Sequence, residues 1–121
     1  ERILFVDDEG AMVNLNQKRL ERLGYKVTGE TDPSEALELF RSDPIQFDLV
    51  ITDMTMPRMT GDRLVQEILK IRSDTPVIIC TGYSNRISEA RAQELGIRKY
   101  IEKPIEMENL ARSVREVLDE K

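Results

Sequence analysis

Asp7-Asp8-Glu9, Asp53, Thr81 and Lys103 are the residues of this sequence best suited to handle a charged oxygen compound. Brought together, Asp7, Asp8 and Asp53 would crowd like charges into one small volume. At least one would take up a proton unless a cation intervened. Carboxylates with no His or Cys beside them select a hard ion, so the set suits Mg²⁺ or Mn²⁺ and not zinc. Next to such an ion Asp53 becomes a candidate nucleophile, because a carboxylate can attack phosphorus to give an acyl phosphate. The metal would offset phosphoryl charge and position the donor. Lys103 would neutralise a further phosphoryl oxygen, and Thr81 would hydrogen-bond to another. Each residue also has an ordinary role open to it. Asp7-Asp8-Glu9 could be a solvated turn and helix N-cap, Asp53 a cap of the loop toward Pro57, Thr81 a helix start and Lys103 a surface lysine.

Whether they act together depends on the elements that carry them. Short β-rich runs at Ile3–Val6, Tyr25–Thr28, Leu49–Thr52, Val77–Cys80 and Lys99–Ile101 alternate with helical patterns. The first, third and fourth runs are almost wholly apolar, as strands covered on both faces are. The second and fifth are mixed, as edge strands are. Met12–Leu23 is helical, with Gly24 as its C-terminal cap. Asp32 as N-cap, Pro33 at the first helical position and Glu35 at capping-box spacing open a second helix. A third follows Gly61, with Leu64, Ile68, Leu69 and Ile71. Ile87, Ala90 and Leu95 mark a fourth, closed by Gly96, and Leu110, Val114, Val117 and Leu118 a fifth. Right-handed crossovers then give a three-layer, doubly wound α/β fold with a five-stranded parallel sheet, flavodoxin-like, in the order 2-1-3-4-5. In such folds ligands bind beyond the carboxyl ends of the strands. Asp7-Asp8-Glu9, Asp53, Thr81 and Lys103 all follow strands one, three, four and five, so they are expected at one rim. That coincidence favours the joint reading over the four separate ordinary ones.

Composition narrows the function further. The chain has 121 residues, 18 Lys plus Arg against 23 Asp plus Glu, and a net charge of -5, which argues against nucleic-acid or anionic-membrane binding by this domain. Its 40% hydrophobic content supplies a core for one domain spanning 1–121. The single cysteine excludes an intrachain disulfide and fits a reducing compartment. With no signal peptide and no apolar run of membrane length, a cytoplasmic location is expected. A start at Glu1 and an end in a helical pattern fit a segment cut from something larger. There is no histidine, which rules out His-ligated metals, His-dependent catalytic units and phosphohistidine within this chain. No P-loop and no Gly-x-Gly-x-x-Gly is present. The acidic first loop would repel a flavin phosphate, and a haloacid-dehalogenase-type phosphatase would want an Asp where Thr55 stands.

The segments Ile3–Glu9, Asp48–Pro57, Gly61, Pro76–Gly82 and Lys99–Pro104, in this order and spacing, resemble the receiver domains of two-component response regulators over essentially the whole chain. The resemblance implies that Asp53 is the phosphoacceptor. It implies that Asp8 ligates Mg²⁺ directly and Asp7 largely through water, with Asp53 and the backbone carbonyl of Thr55 completing the set. Lys103 would pair with the phosphoryl group, and its bond to Pro104 would be cis. Thr81 would move to the phosphoryl oxygen and Tyr100 would swing inward behind it, changing the face made by the fourth helix, fifth strand and fifth helix. Two features depart from the family pattern. Gly82 stands where Ala is common, which leaves more room near the phosphoryl site. Thr55 and Tyr83 stand at positions that tune water access, and bulky Tyr83 is expected to shield the acyl phosphate.

The missing histidine then means that the phosphoryl donor is a sensor histidine kinase or a histidine phosphotransfer domain. Cys80–Asn85 and the ending Val114–Leu118 look most similar to receivers fused to hybrid sensor kinases, with a stand-alone regulator or the N-terminal part of a transcription factor as the alternative parents. The expected molecule is a switch that dimerises or docks a downstream partner through its fourth-helix, fifth-strand, fifth-helix face. The charged surfaces of Arg86–Leu95 and Met107–Leu118 would carry partner choice. It catalyses its own phosphorylation and slow hydrolysis but is not a turnover enzyme. Two rivals are a receiver-like docking module that is never phosphorylated and a small metal-dependent phosphohydrolase. The complete set of site residues argues against the first. The lack of an extra general base and of a cap insertion argues against the second.

Overall fold

A computed structural model of the protein describes residues 1–82 and 94–120. Five strands, β1 (Arg2–Val6), β2 (Lys26–Glu30), β3 (Leu49–Asp53), β4 (Val77–Thr81) and β5 (Lys99–Glu102), form one parallel sheet in the order β2-β1-β3-β4-β5. Helices α1 (Gly10–Arg22), α2 (Pro33–Ser42) and α3 (Gly61–Ile71) and a C-terminal helix (Met107–Asp119) flank it. This is the doubly wound, flavodoxin-like arrangement expected from the sequence.

The unbroken apolar runs follow from two separate cores. Side chains alternate across a strand, so Leu4, Val6, Val50, Val77 and Ile79 pack with Ala36, Leu37 and Phe40 of α2 and Leu64, Val65 and Ile68 of α3. Their neighbours Ile3, Phe5, Leu49, Ile51, Ile78 and Cys80 pack with Val13 and Leu20 of α1 and with Leu110, Val114 and Val117 of the C-terminal helix. Each fully buried Val, Leu, Ile or Phe among them stabilises the fold by roughly 1.5–3 kcal/mol relative to exposure. β3 and β4 are buried along their whole length, whereas β2 and β5 are not, as edge positions require.

Several boundaries differ from the sequence reading. α1 starts at Gly10 rather than Met12, since the Met12 and Val13 N–H groups already donate to the Glu9 carbonyl. β2 lies one to two residues later than Tyr25–Thr28, because its register with β1 pairs Lys26 with Arg2 and Glu30 with Val6. Asp32 does cap α2 by accepting from the Ser34 N–H at 2.9 Å. The reciprocal bond comes from Glu30 and not Glu35, since the Asp32 N–H donates to Glu30 Oε1 at 3.3 Å. Gly24 and Gly96 have φ of +99° and +83°, the left-handed conformation of helix-terminating glycines. Ile87, Ala90 and most of the fourth helical pattern (Arg86–Leu95), together with Tyr83, Ser84 and Asn85, lie outside the described residues. Leu95 packs against the first core.

Candidate phosphoacceptor site

The rim is built from the register of the sheet. β1, β3 and β4 end in step, with Val6 beside Thr52 and Asp53 beside Cys80, so the residues at their carboxyl ends emerge together. Asp7 continues β1, and its N–H donates to the Glu30 carbonyl at 3.2 Å. It is 1% exposed. Its Oδ1 accepts from the Glu9 N–H at 3.0 Å. Its Oδ2 is buried and has no hydrogen-bond partner among the described residues. Asp8 is exposed beside it. Asp53 is the last residue of β3 and is 5% exposed. One carboxylate oxygen from each of Asp7, Asp8 and Asp53 lies within 4.8 Å of the other two.

Lys103 reaches in from beyond β5. Its Nζ is 2.9 Å from Asp53 Oδ1 and 3.6 Å from Asp7 Oδ2. Its backbone N–H donates to the Thr81 carbonyl at 2.8 Å, which joins its loop to the end of β4. The Lys103–Pro104 bond is cis, as the sequence resemblance implied. Thr81 is fully buried, and its Oγ1 has no hydrogen-bond partner among the described residues. Asp8, Glu9, Asp53, Thr55, Gly82 and Lys103 line a cavity of about 280 Å³ at this rim. Among the described residues a Cβ on Gly82 would meet nothing within 4 Å. Tyr100 on β5 is half-buried and packs against the first core.

The electrostatics follow from burial and crowding. Burial raises the Asp7 carboxyl above its ordinary value, and the charges of Asp53 and Asp8 add to the rise. Burial likewise raises Asp53, with Asp8 adding to it and Lys103 opposing it. Burial works against the charge of Lys103, but its contacts with Asp53 and Asp7 outweigh this and its affinity for the proton rises. One lysine therefore does not balance the three carboxylates. An all-oxygen donor set with a buried Asp7 oxygen that accepts no hydrogen bond among the described residues fits a hard divalent cation such as Mg²⁺.

Two supporting residues were not singled out as such in the sequence. Gly61, the first residue of α3, donates its N–H to the Met54 carbonyl at 2.8 Å, and a Cβ there would lie 2.2 Å from the Asp53 carbonyl oxygen. The signal was a glycine at a helix start where a better helix former would serve. Glu30 accepts from the Thr31 and Asp32 N–H groups through its side chain and from Asp7 through its carbonyl. Nothing in the sequence pointed to it.

Residues 3–115 match the family of the response regulator receiver domain. The chain belongs to this family. It is 36% identical over 118 residues to a probable transcriptional regulator, ycf27, of Porphyridium aerugineum, covering 98% of the chain and 48% of the relative. It is 36% identical over 109 residues to the two-component response regulator ARR10 of Arabidopsis thaliana, covering 90% of the chain and 20% of the relative. The chain thus spans less than half the length of these curated relatives. Among solved structures, a receiver domain protein of Clostridium thermocellum superposes with a TM-score of 0.92 at 30% identity, covering 98% of this chain and 94% of that one. The receiver of the hybrid histidine kinase CckA superposes with a TM-score of 0.82 at 29% identity, covering 98% and 100%. This neighbour is a hybrid-kinase receiver, and the two curated relatives named above, at 36% identity, are regulators. No helix among the described residues is long and apolar enough to cross a membrane.

Proposed function

We propose that this receiver domain, taken as one unit over residues 1–121, accepts a phosphoryl group on Asp53 from a phosphohistidine of a sensor kinase or histidine phosphotransfer domain. The observation that carries the proposal is the placement of Asp53. It is nearly buried, 2.9 Å from an ammonium, and within 4.8 Å of two further carboxylates. An Asp53 carboxylate oxygen forms the new bond to phosphorus while the phosphorus–nitrogen bond of the donor breaks. The electron pair returns to the imidazole, which then takes up a proton. Lys103 holds the phosphoryl oxygens by charge, and Thr81 Oγ1 supplies a hydrogen bond to one of them. Asp7, Asp8, Asp53 and the Thr55 carbonyl would hold Mg²⁺ or Mn²⁺, which supplies charge neutralisation for the phosphoryl oxygens when bound. Water attack on phosphorus, with cleavage of its bond to the Asp53 oxygen, returns the free carboxylate and inorganic phosphate. Beyond this self-phosphorylation and slow hydrolysis the domain is not an enzyme.

Displacement of Thr81 toward the phosphoryl group frees space behind it, and inward movement of Tyr100 transmits the change to β5 and the C-terminal helix. That surface is held at rest by ion pairs from Lys99 to Glu116 and from Arg98 to Glu120. We assign to it the docking of a downstream protein or of a second receiver. Shielding of the acyl phosphate by Tyr83 stays part of this reading.

The test is incubation with Mg²⁺ and acetyl phosphate, followed by intact-mass measurement. A single phosphoryl adduct, absent in Asp53→Asn, is expected. Absence of an adduct would instead favour a constitutive docking module, and rapid multiple turnover a phosphohydrolase.

A further inference from the structure

We propose that Arg19 is a positioning residue for Lys103, a role that rests on the phosphoacceptor reading of the site. Arg19 is half-buried on α1, the helix that begins directly after Asp7-Asp8-Glu9. Its Nη1 donates to the Ile105 carbonyl at 2.9 Å, across 86 residues of sequence. The same group donates to Asn16 Oδ1 at 3.4 Å. Asn16 is fully buried and is held in turn by its Nδ2 donating to the Met12 carbonyl at 3.0 Å. Among the described residues Arg19 makes no ion pair, so its bonding serves geometry and not charge balance.

The loop it grips carries the ammonium of the site. On one side the loop is fixed by the Lys103 N–H bonded to the Thr81 carbonyl. Pro104 has no N–H to offer. On the other side Ile105 buries its side chain in the second core and gives its carbonyl to Arg19. α1 thereby connects the acidic loop at its N-terminus with the lysine loop nine residues along, roughly 13 Å up a rigid helix. A guanidinium suits this task because a single nitrogen, Nη1, carries two N–H groups and serves an acceptor on the loop and one on α1 at once. Loss of that grip frees Ile105 and, two residues away, the backbone from which Lys103 reaches Asp53.

The test uses Mg²⁺ and beryllofluoride, an anion that mimics the phosphoryl group, with binding followed by calorimetry. Arg19→Ala is expected to weaken beryllofluoride binding roughly tenfold, the low end for an outer-shell partner. Binding of Mg²⁺ alone should stay unchanged, because Asp7 and Asp8 directly follow β1 and Asp53 ends β3, none of them on the loop that Arg19 grips. In a Lys103→Ala background Arg19→Ala should have no further effect, and Arg19→Lys should recover part of the loss. Without any metal, hydrogen exchange at the Lys103 amide should accelerate in Arg19→Ala. If Arg19→Ala does not fold, Arg19→Gln carries the same test. An equal loss in the Lys103→Ala background, or unchanged anion binding with unchanged exchange at Lys103, would overturn the proposal alone. A wild-type protein that binds no beryllofluoride would overturn the phosphoacceptor reading and this inference with it.

Discussion

Replacing Gly61 by alanine sets helix propensity against the geometry of the site, and the two disagree in sign. Gly61 has no positive φ and opens α3, so propensity alone favours alanine by up to ~1 kcal/mol. The structure opposes it. The new Cβ would lie 2.2 Å from the Asp53 carbonyl oxygen and 2.9 Å from Met54 Cα, both backbone atoms. Relaxed carbon–oxygen contacts sit near ~3.3 Å, so the chain must yield by about 1 Å. Such overpacking costs roughly 1–3 kcal/mol. The displacement also strains the 2.8 Å bond from the Gly61 N–H to the Met54 carbonyl, which contributes about 0.5–1.5 kcal/mol. The net expectation is a loss of about 2 kcal/mol, or roughly 6–12 °C in Tm for a chain of this size. Urea denaturation reads it as a lower midpoint at unchanged slope. Gly10→Ala is the control, since its Cβ would meet nothing within 4 Å among the described residues at the start of α1, and a gain of about 0.5 kcal/mol is expected. The displaced backbone is that of Asp53, so Gly61→Ala should also weaken Mg²⁺ binding. A Gly61→Ala protein as stable as wild type, with intact metal affinity, would refute the steric argument.

Mg²⁺ at ten times its dissociation constant should stabilise the wild-type domain by about 1.4 kcal/mol in thermal melts, since it binds only the folded site. Asp7→Asn should abolish that gain while making the metal-free protein more stable, because it removes a buried charge and keeps the bond from the Glu9 N–H. Cys80 is buried and its thiol is pushed up to about 12, by burial and then by the charge of Asp53. It should resist alkylation until the chain unfolds. Since this acid ionises more easily in the unfolded chain, stability should fall as pH rises above 9, by up to about 1.4 kcal/mol per unit, an effect absent in Cys80→Ala. Arg58 holds φ at 73°, which costs a non-glycine residue about 1–2 kcal/mol. Arg58→Gly should therefore gain roughly 0.5 kcal/mol in urea melts after the greater freedom of unfolded glycine is subtracted, and the exposed 3.9 Å pair with Asp32 should count for little.

What could be read in the sequence was whatever follows from alternation and punctuation. Ile3 to Val6 had to be covered on both sides, and the two cores divide it residue by residue. Once the strands are parallel and in step, Asp7, Asp53, Thr81 and Lys103 must share a rim, so the candidate site was legible from strand ends alone. The second helix start was half legible. Asp32 capped as expected, but Glu30 took the role expected of Glu35, because β2 runs two residues further and delivers Glu30 to that point. Arg19 and Gly61 were not legible as support. Ile105 is 86 residues from Arg19, and both it and Asp53 are met through carbonyl groups, which every residue type presents alike.

On the phosphoacceptor reading proposed above, the site calls for more than a cation. Asp7 Oδ2 and Thr81 Oγ1 are both buried without a hydrogen bond among the described residues, and each such atom costs about 1–3 kcal/mol. The first is an acceptor beside the carboxylates of Asp8 and Asp53, with the Lys103 ammonium 3.6 Å away offsetting part of their charge. The second is a hydroxyl, able to donate, whose own backbone carbonyl anchors Lys103. A divalent ion among Asp7, Asp8 and Asp53 relieves the first and gives the hydroxyl nothing. On that reading an anion on Asp53 would offer the hydroxyl an acceptor and add charge to the carboxylates. Only the two together satisfy both atoms, so each should bind more tightly in the presence of the other, by the same factor in either order. Calorimetric titration of Mg²⁺ with and without beryllofluoride measures that factor. In Thr81→Ala the hydroxyl's share is gone while the charge pairing remains, so the factor should shrink without vanishing. A factor of one in the wild type would mean that the two atoms are satisfied independently.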